Sequence, residues 1–164
     1  MTTPTEIDLA LLAAPNTLVG TITDMLIEEK DAQGAFQLTN NYLRTDRDWK
    51  ITLKWQLEGP LLASTVVQLH GQWLPHAYLE GWGRAAEEVD KDNPPIDVSA
   101  AVVIPGQSPI WTYSTEFLFA APNPVMPGTY RLAVALTFQD PNGNPAAIAG
   151  FLEHDKMLQI YRPA

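Results

Sequence analysis

Between Asp48 and Gly59 the chain alternates without a break: Trp49, Ile51, Leu53, Trp55 and Leu57 are apolar, while Lys50, Thr52, Lys54, Gln56 and Glu58 are polar or charged. Successive side chains of a strand point to opposite faces, so this period of two puts all the bulk on one side. A helix would scatter the same five residues around its circumference. Each Ile or Leu buried contributes roughly 1.5–3 kcal/mol and each Trp more, which fixes the register against a one-residue slip. The stretch predicts a core strand of a half-buried antiparallel sheet.

The same period recurs downstream. Tyr130, Leu132, Val134, Leu136 and Phe138 share one parity, as do Trp111, Tyr113, Phe117 and Phe119. From Gln72 to Glu80, Trp73, Pro75, Ala77 and Leu79 line one face; Pro75 has no N–H for a ladder, so this strand lies at an edge or carries a bulge. Thr17 to Glu28 reads as the first strand, although Val19, Ile22, Met25 and Ile27 fall on both faces. Phe36–Leu38, Val98–Ile104, Ala146–Leu152 and Lys156–Tyr161 supply further strands, and Gly81 to Pro95 reads as a charged loop. Residues 61–70 stay ambiguous, because Pro60 and Gly71 would bracket a short helix while Thr65–Val66–Val67 prefers a strand. Seven to nine strands separated by turn signals make an all-β, two-sheet antiparallel sandwich, occupying residues 17–164 as one domain. Residues 1–16 form an N-terminal arm. Thr5 can N-cap a short helix ahead of Pro15, and Ile7, Leu11 and Leu12 would give it an apolar stripe, laid on its own sandwich or on a neighbouring subunit.

Pro127-Gly128-Thr129-Tyr130-Arg131-Leu132 resembles the start of the sixth strand of immunoglobulin-like and fibronectin-III-like domains. In those domains a Tyr after a Gly turn forms the tyrosine corner, its hydroxyl bonding back to nearby backbone. Trp73, after Gly71, similarly resembles the core Trp of the third strand, and Trp49 to Leu57 would be the second. Leu132 stands where antibody domains have a Cys, so the disulfide-bonded type is excluded. The resemblance implies an immunoglobulin-like sandwich and, by analogy only, a binding or structural module.

Composition narrows the partners. Nineteen acidic against ten basic residues give a formal charge of −9, which opposes nucleic acid and anionic membrane and favours solubility. With no cysteine, disulfides, thiolate metal sites and a cysteine nucleophile are excluded. The first residues lack a basic n-region, and no run approaches the roughly 20 apolar residues that span a bilayer. A cytoplasmic product is expected; export without a cleaved signal would look the same.

Chemistry-bearing residues are few. His70, His76 and Glu80 share a parity and could ligate zinc, but their spacing matches no local ligand motif, and solvent-facing strand positions are the preferred reading. Asp140-Pro-Asn142-Gly-Asn144 echoes a calcium loop, yet its Gly is displaced and Phe151 stands where the closing Glu belongs; a hairpin turn fits the same residues. Glu87, Glu88, Asp90 and Asp92 read as a solvated acidic loop. Glu153-His154-Asp155 puts a His between carboxylates, but there is no GxSxG elbow and no phosphate or dinucleotide loop. Neither catalytic residues, a resident metal nor a cofactor is therefore assigned.

The leading expectation is a non-catalytic module that works through protein–protein contacts or self-association, as a subunit of a larger assembly would. Its candidate surfaces are Ile7, Leu11 and Leu12 on the arm and Ala133 and Ala135 on the small outer face of the Tyr130 strand. The alternative is a carbohydrate-binding module that stacks a glycan on Trp82 or Trp111; the third is a small metal-dependent enzyme.

Overall fold

A computed structural model describes residues 3–4, 6–7, 18–39, 41–59, 62, 70–83, 87–106, 109–122 and 124–164. They form two packed β-sheets. The first contains β1 (Thr3–Pro4), β3 (Val19–Lys30), β6 (Trp49–Glu58), β11 (Ile110–Phe119) and β10 (Val102–Ile104) in that order, with β4 (Phe36–Leu38) also on β3. In the second sheet the hub is β12 (Gly128–Gln139). It pairs along one side with β7 (Gln72–Trp82) and along the other with β13 (Pro145–Glu153) and then β14 (Leu158–Tyr161). Beyond β7 lie β8 (Val89–Asp92) and β9 (Ile96–Asp97); beyond β13 and β14 lie β2 (Glu6–Ile7) and β5 (Tyr42–Arg44). Pairing is antiparallel throughout except between β14 and β5.

The alternation decides what is inside. Trp49, Ile51, Leu53, Trp55 and Leu57 of β6 are all buried, and so are Tyr130, Leu132, Val134, Leu136 and Phe138 of β12. Trp55 lies opposite Tyr113 of β11 and stacks on it at 5.3 Å between ring centres. Trp73 of β7 meets both rings edge-on, at 5.9 and 5.8 Å, and Phe138 of β12 at 5.0 Å. Two rings thus come from each sheet. At one end of β6, Trp49 stacks on Phe119 at 3.9 Å.

Two irregular sequence patterns acquire a cause. The apolar residues of β3 change phase because the ladder with β6 skips Thr23, pairing Ile22 with Trp55 and Asp24 with Lys54. This bulge returns Ile27 to the inside after Ile22. Pro75 sits in the gap between β8, which pairs from His76, and β9, which pairs at Gln72 and Trp73. Its carbonyl accepts from the Asn93 amide on that side, so its missing N–H falls where no ladder partner is required.

Some expectations change. Fourteen strand segments are present among the described residues, more than seven to nine, because short pieces flank the long strands. Glu6–Ile7 is extended and paired with β13, not the first turn of a helix, while Thr3–Pro4 pairs with β3 of the other sheet. Backbone pairing with both sheets captures the arm where a lone short helix would have little to stabilise it. Leu11 and Leu12 lie outside the described residues, as does most of 61–70, where Leu62 is fully buried. The charged segment 81–95 is not all loop, since β8 forms a hairpin with β7. Val98–Ala100 is a 3₁₀ turn capped by Asp97, so the strand begins only at Val102.

The Tyr130 hydroxyl donates to the Met126 carbonyl at 2.8 Å, the bond a tyrosine corner requires. Tyr130→Phe is expected to cost about 1–2 kcal/mol by stranding that carbonyl, read as a lower urea midpoint at unchanged slope. Gly71 has a φ of +153°, and a Cβ there would fall 2.2 Å from the Gln139 carbonyl oxygen and 2.8 Å from the Phe138 ring. Gly71→Ala is expected to destabilise by at least about 2 kcal/mol in the same measurement, since backbone cannot yield as a flexible side chain would.

Candidate functional site

The outward side chains of the second sheet assemble the most distinctive surface of the molecule. Because β12 is the hub, its outward residues have neighbours on both sides. Ala135 lies between His76 of β7 and Phe151 of β13; Ala133 lies between Tyr78 and Glu153. Phe151 is 55% exposed and Tyr78 38%. The two alanines therefore floor a shallow trough with an aromatic ring on either flank. His76 and Tyr78 stand with ring centres 6.2 Å apart and nearly parallel.

Charges rim this trough. Asp92 holds the His76 Nδ1 atom at 2.6 Å, and Asp90 lies opposite Tyr78. Towards the other end, the Arg131 guanidinium lies 3.1 Å from Glu153 and 3.7 Å from Glu80. The carboxylates are about half exposed or more, and His76 and Arg131 are partly covered; at such exposed pairs each contact contributes only about 0–1 kcal/mol. The rim thus has four carboxylates against one arginine, with His76 beside them. Trp82, 63% exposed, ends the same face, and Arg131 lies over its ring at 5.7 Å.

Of the sequence candidates, Ala133, Ala135 and Trp82 come together on this face. Trp111 does not, because its parity on β11 turns it into the core, where it is only 5% exposed. A platform role for Trp111 is thereby corrected. Ile7 lies on β2, at the edge of the same sheet beside Ile148. Phe151 and Tyr78 were missed by sequence reasoning. Tyr78 was findable, since it occupies the polar parity of β7; Phe151 needs the β12–β13 register, which no local pattern carries.

His70, His76 and Glu80 do not converge. Gly71 turns the chain before β7 begins, which breaks the shared parity and leaves His70 at one end of the sandwich. His76 and Glu80 do share the outer face, but four residues along a strand separates them by about 13 Å. Each also has its own partner, Asp92 and Arg131 respectively. Among the described residues no group of three or more His, Cys, Asp or Glu side chains is placed to hold a metal.

His70 instead borders an open cleft of about 920 Å³ with Gln72, Asp97, Trp111, Gln139 and Asp140. Its polar walls are engaged with one another. Gln139 donates to Gln72 at 3.3 Å, and Asp97 accepts from the Ser99 hydroxyl and amide at 2.6 and 2.8 Å. Asp140 accepts from the Asn142 and Asn144 amides at 2.9 and 2.8 Å and from the Asn144 side chain at 3.0 Å. Its oxygens are thus turned onto their own hairpin turn, the reading that competed with a calcium loop. His154 Nδ1 lies 2.9 Å from the Lys156 carbonyl and 3.7 Å from Asp155, while Glu153 is taken by Arg131, so only two members of that triplet face one another. No helix among the described residues is long and apolar enough to cross a membrane.

Compared with known protein families the chain matches none, and no curated protein matches it.

Turn carboxylates make the fold acid-sensitive. Asp140 is held below its ordinary 3.8 by the Asn144 side chain and backbone, Asp97 by Ser99, and Asp48 by the Ala121 amide and Lys30. Each folded pKa is depressed, so the stabilisation is complete above 3.8 and lost as pH falls through the lower folded values. The urea midpoint is expected to hold from pH 7 to about 5 and decline below about 4; Asp140→Ala lowers it at pH 7 and shallows the acid decline.

Proposed function

We propose that the chain is an immunoglobulin-like, non-catalytic module that binds another protein through the outer face of its second sheet. The domain type is supported by strand order. β3, β6, β11 and β10 lie across from β8, β7, β12 and β13, as the A, B, E, D and C′, C, F, G strands do in that architecture. A buried Trp73 on the third of these strands and the Tyr130 hydroxyl bond agree with it.

The observation that carries the binding role is the trough itself: Ala133 and Ala135 flanked by exposed Tyr78 and Phe151. Small residues let a partner approach the backbone closely, while aromatic walls supply contact area at little cost in side-chain entropy. The acidic rim selects the partner's chemistry: an apolar protein surface bordered by Lys or Arg. The same rim repels the phosphates of nucleic acid.

Ala135→Glu and Ala135→Trp fill the floor of the trough without touching the core. Native protein co-purified from its source cells is expected to retain a stoichiometric partner that both variants lose at least tenfold, with unchanged urea midpoints. A partner retained by both variants moves the interface elsewhere, and wild-type protein that brings down nothing overturns the reading.

A second reading is favoured by Trp82 alone, exposed at the end of this face. A glycan stacked on it predicts glycan-array binding that Trp82→Ala abolishes while Ala135→Glu leaves it intact; a blank array removes this reading.

A further inference from the structure

The first sheet ends at β10, and among the described residues no strand pairs with its far side. Val102, Val103 and Ile104 are 69%, 51% and 51% exposed. Val103 stands opposite the buried Trp111, so it has the parity that faces the interior and is half exposed nevertheless. Among the described residues both faces of this strand are therefore open, along with one row of its backbone. Only another extended backbone can meet that row with N–H and C=O groups in register.

The remaining borders are guarded. Pro4 removes an N–H from β1, and β2, β5, β8 and β9 carry Glu6, Arg44, Asp90–Lys91–Asp92 and Asp97 respectively. On β4 the Lys30 and Lys50 ammonium groups lie over the Phe36 ring at 5.6 and 4.7 Å. Charges and prolines of this kind keep strand edges from pairing with other chains. By contrast, no charged residue occurs between Asp97 and Glu116, so β10 carries no charged guard, and its proline, Pro105, stands just beyond the strand.

We propose that β10 pairs antiparallel with β10 of a second copy across a twofold axis at Val103, joining the two first sheets into one. Charge identifies the occupant. Each copy carries −9, so two copies meet without like-charge contact only along an uncharged border. A cationic partner finds its complement elsewhere on this acidic chain. In the pair, Val103 faces Val103 and Val102 faces Ile104 of the second copy; Pro105, without an N–H, ends the ladder. Three residues a side is a small contact, so the dimer forms at high protein concentration.

Sedimentation equilibrium from about 10 μM to about 1 mM tests this, a span in which a weak dimer changes from sparse to dominant. The wild-type mass is expected to climb towards twice the monomer, and the 102–104 amides to exchange more slowly with rising concentration. Val103→Lys and Val103→Asp each place like charges face to face and are expected to weaken association at least tenfold. Mixed in equal amounts, the two variants restore the dimer, which simple misfolding of either would not allow. Ala135→Glu, on the other sheet, leaves association unchanged. A wild type that stays monomeric, a dimer that survives both Val103 variants, a mixture no heavier than its components, or a dimer abolished by Ala135→Glu overturns the proposal.

Discussion

Contact between Trp55 and Tyr113 of one sheet and Trp73 and Phe138 of the other is the constraint on which the remaining structure depends. The indole N–H groups of Trp49 and Trp55 are buried and have no acceptor among the described residues. Leaving such a donor unmet costs about 1–3 kcal/mol. Burying an aromatic ring removes roughly 150–250 Å² from water, or about 4–6 kcal/mol at 25 cal/mol per Å². Apolar burial wins, and the sheets are held by packing more than by polar anchoring. Tyr113 adds one polar tie, donating to the Val98 carbonyl at 3.0 Å, while burial pushes its phenol up to about 12.

With the interior set by period two, the opposite parity of every long strand is released to the surface. The two sheets use that freedom differently. On the first sheet, Lys50 meets Glu116 at 2.6 Å and Glu28 at 3.5 Å, a charged lattice suited to water. On the second, the central strand offers alanines and its neighbours offer rings, with the charges displaced to the margin. Asymmetry between two faces made by the same alternation is what singles out the second sheet for the proposed binding role.

How far this could be read from the sequence depends on the distance over which each feature is specified. Alternation in β6, β11 and β12 is written in adjacent residues, so the sandwich and most of its core were legible, Trp55 and Leu136 included. The hairpin turn at Asp140 was legible for the same reason. Features that depend on register were not. The Thr23 bulge, the break opposite Pro75 and the meeting of Ala135 with Phe151 arise between segments far apart in the chain. The parity shared by His70 and His76 misled because Gly71, with positive φ, stops the strand that would have joined them. Glu6 and Ile7 misled in another way: their spacing suits the start of a helix, but they pair as a short strand with β13, and the rest of the predicted helix lies outside the described residues.

That arm has a mechanical consequence. Thr3–Pro4 is laced to the first sheet and Glu6–Ile7 to the second, so the same few residues straddle both layers. Face-to-face packing resists separation but offers less resistance to lateral slip, because side chains can trade neighbours as layers shear. A crossover bonded to both layers forbids that slip unless one set of bonds lets go. The layer that bears the trough and the layer that ends in the bare strand are thus tied to one another by the same short stretch of backbone.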